Sequence, residues 1–145
     1  MLAHLKTLDI ERETLVIFMS DNGGVSKFWK GGMRGNKGSV YEGGVRSPFF
    51  ARWPGKVEPG SKCNRVITHT DLFATVTEVA GAKIPKGAAA DSYSYLSLLL
   101  GNEKKYSRPP VIHHSAGGMF AIREGDWKLV LGNGSGGRQA PKGKP

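Results

Sequence analysis

Residues 14–20, TLVIFMS, contain five successive apolar side chains, Leu15 to Met19, rich in β-branched and aromatic types. The run does not alternate, so it cannot turn one polar face to water as a half-buried strand does. It reads as a strand covered on both faces, the environment of a parallel sheet between layers of helices. Just before it, LAHLKTL (2–8) places leucine at 2, 5 and 8. That spacing is helical and reads as the last turns of an amphipathic helix. A helix, a short loop and a doubly covered strand make half of an α/β unit. The chain is therefore expected to be α/β.

The strand runs directly into SDNGG (20–24). In open α/β sheets, ligands bind beyond the carboxyl ends of strands, where Asp21 and Asn22 fall. A carboxylate and an amide carbonyl are hard oxygen donors, suited to Ca²⁺ or Mg²⁺ better than to zinc. Gly23 and Gly24 let the backbone turn so that both side chains face one point. The same four residues are also ordinary turn chemistry, and the dipeptide alone does not separate the two readings. The glycine-rich connection that follows, 22–47, has the length of a functional loop. Within RGNKGSVYEGGVRSP (34–48), Lys37 sits between glycines, ahead of Ser39, Tyr41 and Glu42. A lysine on a glycine-bounded loop is a point-charge donor for an oxyanion, although most lysines are solvated surface residues. Arg34 and Arg46 read equally well as structural residues, pairing with Glu42 or with carbonyl groups.

The net charge of +9 raises the question of a nucleic-acid partner. Between Lys27 and Arg65 there are nine Lys or Arg against Glu42 and Glu58, a local +7. That segment is a glycine-rich loop, with no zinc-finger, helix-turn-helix or RNA-binding aromatic motif. Recognition of a small anionic group suits it better. The single cysteine, Cys63, can form no internal disulfide and has no partner for a zinc site. No apolar run approaches the ~20 residues of a membrane span, and the first residues do not have the pattern of a signal peptide.

Farther along, a short strand is expected at 49–53, with a turn at Pro54-Gly55. TDLFATVTEVAG (70–81) is expected to be a helix capped by Thr70, with Asp71 at its positive end. Leu72, Phe73, Val76, Val79 and Ala80 form its apolar stripe, and Gly81 closes it. DSYSYLSLLLG (91–101) reads as a second, shorter helix. PVIHHS (110–115), MFAIRE (119–124) and WKLVLG (127–132) read as strands, the last two joined at Glu124-Gly125-Asp126. Trp127, Leu129 and Leu131 share one face, and Trp127 is expected to be buried. His113 and His114, adjacent on a strand, point to opposite faces. One is placed to face a site, though a packed structural imidazole is the commoner fate. His69 is expected near a helix start, and His4 and Cys63 carry no further signal. These features divide the chain into 1–104, a piece of an α/β core, and 105–145, an antiparallel subdomain with a flexible Gly/Pro/Lys-rich tail.

TLVIFMSDNGG, RGNKGSVYEGGVRSPFFARWPGKVEPG, HTDLFATVTEVAGAKIP and FAIREGDWKLVLG, in this order and spacing, closely resemble the later part of type I sulfatases of the arylsulfatase-like group. The resemblance implies an alkaline-phosphatase-like fold: here helix, central strand, long loop and helix, then a small antiparallel C-terminal sheet. It implies that Asp21 and Asn22 are calcium ligands and that Lys37 contacts the sulfate. It also implies that His113 or His114 edges the substrate pocket. The implied partners are a sulfate-ester substrate and the remaining N-terminal part of the same enzyme, with neither nucleic acid nor membrane. Members of the family are usually exported to the periplasm or the extracellular space. They use a formylglycine made from Cys or Ser in a Cys/Ser-x-Pro-x-Arg motif. Cys63 is followed by Asn64, Arg65 and Val66, without the proline, and the early acidic ligands of the family pattern have no counterpart. The resemblance therefore implies a calcium-dependent sulfatase piece that is inactive alone. A phosphonate or phosphodiester hydrolase piece of the same superfamily, or a non-enzymatic anion-binding remnant, is the alternative.

Overall fold

A computed structural model describes residues 1–25 and 30–137. Its backbone contacts group into two compact units: Met1–Phe18 with Phe50–Arg108, and Met19–Phe49 with Pro109–Pro145. Helices and short strands are mixed, as expected from the sequence.

In the first unit, α1 is Leu2–Thr7. The apolar run yields β1, Val16–Met19, which pairs with β2, Phe49–Arg52, in a two-stranded sheet. The expectation of a strand covered on both faces is not met. Phe18 is 66 % exposed and meets the ring of Phe50, itself exposed, at 6.2 Å. A run of this composition needs strands on both edges and helices on both faces, and the described residues supply it with one strand partner. Arg52 pairs with Glu11 at 3.0 Å, and the Trp53 indole N–H donates to the Arg12 carbonyl at 2.8 Å. These contacts hold the segment ahead of β1 to the end of β2.

α3 spans Asp71–Val79 and closes at Gly81, whose φ of +65° needs no Cβ. Its packing meets the expected stripe only in part. Leu72 and Val79 are half-buried, Phe73, Val76 and Ala80 are exposed, and Asp71, Ala74 and Thr75 are buried. The inward face is satisfied by hydrogen bonds instead. The Asp71 carboxylate, fully buried, accepts from Thr68 N at 2.7 Å, Tyr93 N at 3.0 Å and the Arg108 guanidinium at 3.2 Å. The Thr75 hydroxyl donates to the Asp71 carbonyl at 2.8 Å and accepts from Tyr95 N at 3.0 Å. Thr70 makes no side-chain cap; its hydroxyl lies 3.1 Å from the Asp91 carbonyl, to which it donates. A buried carboxylate with three donors thus ties the start of α3 to the segment before the short helix α4, Leu96–Leu99.

Tyr106, buried in the same unit, donates its hydroxyl to the Val66 carbonyl at 2.8 Å. Burial first, and the nearby Asp71 carboxylate second, push the phenol up to about 12. In the unfolded chain it titrates near its ordinary value of about 10. A raised folded value stabilises the fold fully below the unfolded one and is lost as pH rises through the folded one. Unfolding free energy should therefore fall between about pH 10 and pH 12. Tyr106→Phe should flatten that decline when urea midpoints are compared across pH, leaving the part due to Tyr95, whose hydroxyl burial also shifts upward.

In the second unit, β3 (Val111–His114), β4 (Phe120–Glu124) and β5 (Trp127–Val130) form an antiparallel sheet in that order. Ile112 lies opposite Ile122, which lies opposite Leu129; His113 pairs with Ala121 and His114 with Phe120. The β4–β5 hairpin turns at Gly125, φ +54°, where the sequence places it. The buried Ser115 hydroxyl accepts from Gly117 N and Met119 N and closes the β3–β4 turn. Trp127 does not pack inward: it is 85 % exposed, and Ile112, Phe120, Leu129 and Leu131 on the same face are exposed too. The opposite face, with His113, Ala121, Arg123 and Lys128, receives the glycine-rich loop and takes the packing that was expected on the tryptophan side.

Candidate anion and metal site

Beyond β1 the chain crosses to Pro48, whose carbonyl accepts from Ser20 N at 3.3 Å, and then turns through Asp21-Asn22-Gly23-Gly24. Asp21 is exposed, Asn22 half-buried and Gly23 buried. Gly23 N donates to the Gly44 carbonyl at 3.0 Å, and Lys37 N donates to the Gly24 carbonyl at 2.9 Å. The acid-amide turn and the lysine loop are therefore bonded backbone to backbone at two points. This is why Gly23 carries no side chain: a Cβ there would fall on the carbonyl of Gly43 and the backbone of Gly44. Gly43 and Gly44 open a four-residue helical turn, α2 (Glu42–Val45), and are as tightly enclosed. A Cβ on Gly43 would meet the Gly35, Arg34 and Met33 carbonyls, and one on Gly44 those of Asn36 and Ser39. Three glycines thus let three backbone layers touch, and the layers present Asp21, Asn22 and Lys37.

The Lys37 loop is braced from several sides. The Lys30 ammonium donates to the Gly35 carbonyl at 2.9 Å and to the Asn36 side-chain oxygen. The Arg34 guanidinium stacks 4.1 Å from the centre of the Tyr41 ring. The Tyr41 hydroxyl donates to the Gly134 carbonyl at 2.8 Å, Val40 N to Ser135 O at 3.0 Å, and Ala116 N to Gly38 O at 2.8 Å. Among the described residues Glu42 pairs with neither Arg34 nor Arg46, the partners the sequence left open for it. Its carboxylate binds Arg123 of β4 at 2.6 Å and Lys128 of β5 at 2.9 Å. Burial pushes this carboxyl up, but the Lys128 bond and the charges of Lys128, Arg123 and Arg46 outweigh it and hold it below the ordinary carboxylate range.

The histidines point to opposite faces of β3, as adjacent strand residues must. His113 is half-buried, with Nε2 3.2 Å from the Val40 carbonyl, so the Nε2–H tautomer donates there. Burial, joined by the Lys128 and Arg123 charges, lowers its basicity against the opposing pull of the Val40 carbonyl and Glu42. His114 is exposed, with Nδ1 2.8 Å from the Ser115 carbonyl and its ring 5.6 Å from that of Phe120. His4, Cys63 and His69 belong to the other unit, and Cys63 is an exposed free thiol. Among the described residues no three His, Cys, Asp or Glu side chains come together as a metal cluster. The Asp21 carboxylate lies 3.5 Å from the Ser20 hydroxyl. Asp21 and Asn22 are thus accessible hard donors, fit for one side of a calcium ion that takes 6–8 oxygens.

The family model described as Sulfatase matches residues 1–82, the stretch that holds both loops. The chain belongs to the sulfatase family. It is 34 % identical over 140 residues to the N-acetylgalactosamine-6-O-sulfatase of Bacteroides thetaiotaomicron, covering 87 % of this chain and 27 % of that protein. It is 37 % identical over 130 residues to human arylsulfatase A, covering 83 % of this chain and 25 % of that one. The solved PsFucS1 sulfatase from Pseudoalteromonas sp. superposes with a TM-score of 0.79 at 31 % identity, covering 92 % of this chain and 28 % of that structure. This sulfatase chain therefore spans about a quarter of the length of the curated relatives it matches. Sequence reasoning missed Arg123 and Lys128 as supports of its lysine loop. They stand 81 and 86 positions after Glu42, so no local pattern in the sequence points to the pairing.

Proposed function

We propose that this chain supplies part of the active site of a calcium-dependent sulfatase and is catalytically silent by itself. Asp21 and Asn22 would provide two of the oxygen ligands of the calcium ion, and the other ligands would come from the portion of the enzyme that the relatives' greater length represents. Bound calcium supplies charge neutralisation at the sulfate oxygens. Lys37 offers its ammonium to the same sulfate and balances the charge that grows on it during transfer. The reaction is R–OSO₃⁻ plus water giving R–OH, sulfate and a proton. The single observation carrying this reading is the pair of backbone hydrogen bonds, Gly23 N to Gly44 O and Lys37 N to Gly24 O, which join the acid-amide turn to the lysine loop.

Sulfuryl transfer also needs a nucleophile and an acid for the leaving oxygen. The family's nucleophile motif has no match around Cys63, whose neighbours are Asn64, Arg65 and Val66. Purified alone, the chain should release no sulfate from an aryl sulfate and show no calcium-dependent rise in melting temperature at micromolar calcium. Co-expressed with a sulfatase segment carrying the nucleophile motif and with a formylglycine-generating enzyme, it should gain activity. Lys37→Ala should then reduce kcat by about 10²–10³-fold, the scale of one lost oxyanion contact. Turnover by the chain alone, abolished by Lys37→Ala, would overturn the proposal.

A further inference from the structure

The Glu42 carboxylate braces the lysine loop against the antiparallel sheet and holds two cations from adjacent strands. It lies five residues after Lys37 in the loop, while Arg123 and Lys128 are directly opposed across the β4–β5 ladder. All three side chains are at least two-thirds buried, so water screens these pairs less than it screens exposed ones. Hydrogen bonds from Ala116 N to Gly38 O, Val40 N to Ser135 O and the Tyr41 hydroxyl to Gly134 O also hold the loop, to segments flanking the strands, but none of them carries charge.

We propose that Glu42 is a positioning residue for anion recognition: by clamping Arg123 and Lys128 it fixes the Lys37 loop on the sheet and sets where the lysine charge stands. The clamp has a second effect. It offsets one of the two positive charges that Arg123 and Lys128 bring to the sheet face, while Lys37 stays exposed at the loop, open to an incoming oxyanion. This inference rests on the proposed role of Lys37 as the sulfate contact.

The test uses the 145-residue chain and two independent readouts. Amide hydrogen exchange at Lys37, which donates to Gly24, reports loop position without any ligand. Shifts of the Lys37 and Gly38 amides during titration with inorganic sulfate, against chloride at matched ionic strength, report recognition. Glu42→Gln should speed Lys37 exchange and weaken the sulfate response by about tenfold, the loss expected for one charge-assisted hydrogen bond. The β4–β5 ladder amides should keep their protection. Glu42→Asp should restore part of both effects. Arg123→Gln with Lys128→Gln should reproduce the Glu42→Gln result, and adding Glu42→Gln to that pair should change little further. Unchanged Lys37 exchange in Glu42→Gln overturns the inference, as does a uniform loss of protection that includes the ladder. Lys37→Ala separates the two claims: if it leaves the sulfate response intact, the role of the lysine falls, while the exchange result still decides the role of Glu42.

Discussion

Asp71→Ala is expected to be the most damaging single substitution in the chain, lowering stability by about 3–5 kcal/mol. The carboxylate is fully buried and takes three hydrogen bonds, from two backbone amides and from Arg108. Its removal takes this carboxylate from a guanidinium whose side chain is 10 % exposed and leaves the amides of Thr68 and Tyr93 without that acceptor. Against a typical domain stability of about 5–15 kcal/mol, a loss of that size brings the unit close to unfolding at room temperature. Urea denaturation followed by far-UV circular dichroism measures it. Asp71→Ala combined with Arg108→Leu should recover part of the loss, because the buried positive charge that had lost its carboxylate is then gone. An Asp71→Ala chain with a midpoint near that of the wild type would show that the polar interior of α3 does not hold this unit together.

The second large effect is expected at the three stacked glycines. Gly44→Ala places a methyl group on the Asn36 and Ser39 carbonyls, and Gly23→Ala places one on the Gly43 carbonyl. Backbone cannot rotate aside as a side-chain end can, so each change should cost more than about 1–3 kcal/mol, the usual penalty of overpacking. Each should also part the acid-amide turn from the lysine loop. Gly32→Ala is the matched control. Its φ of +73° strains any Cβ, but nothing stands within 4 Å. Only the left-handed penalty of about 1–2 kcal/mol remains there. A Gly44→Ala chain as stable as Gly32→Ala would contradict the close backbone stacking.

Several elements were legible because their signals are local. Alternation and a turn glycine located the hairpin of β4 and β5, and adjacency on a strand sent His113 and His114 to opposite faces. The strand before Asp21 and the glycine-bounded Lys37 could be read in the same way. What escaped depends on partners distant in sequence. Glu42 was recognisable as a paired acid, yet its partners stand 81 and 86 positions later, beyond any local pattern. An apolar residue type gives its transfer preference but not which surface arrives to cover it. Trp127 and Phe73 therefore looked like core and lie exposed, while Asp71 and Thr75, outside the expected apolar stripe, lie buried. Asp71 can stay inside because its hydrogen bonds replace those it made to water.

The bond from Tyr41 to Gly134 spans 93 positions, and the bond from Val40 to Ser135 is as distant. Proteins are synthesised at about 5–20 residues per second, so the lysine loop leaves the ribosome roughly 5–20 s before the strands that seat it exist. Through that interval Lys30, Arg34 and Lys37 belong to an unsupported, cationic, glycine-rich ribbon. Closing so long a loop comes late and slowly in folding. Translation speed is thus expected to matter more for the folding of the Lys37 loop than for α3, whose bonds to Tyr93 and Arg108 close within 37 positions.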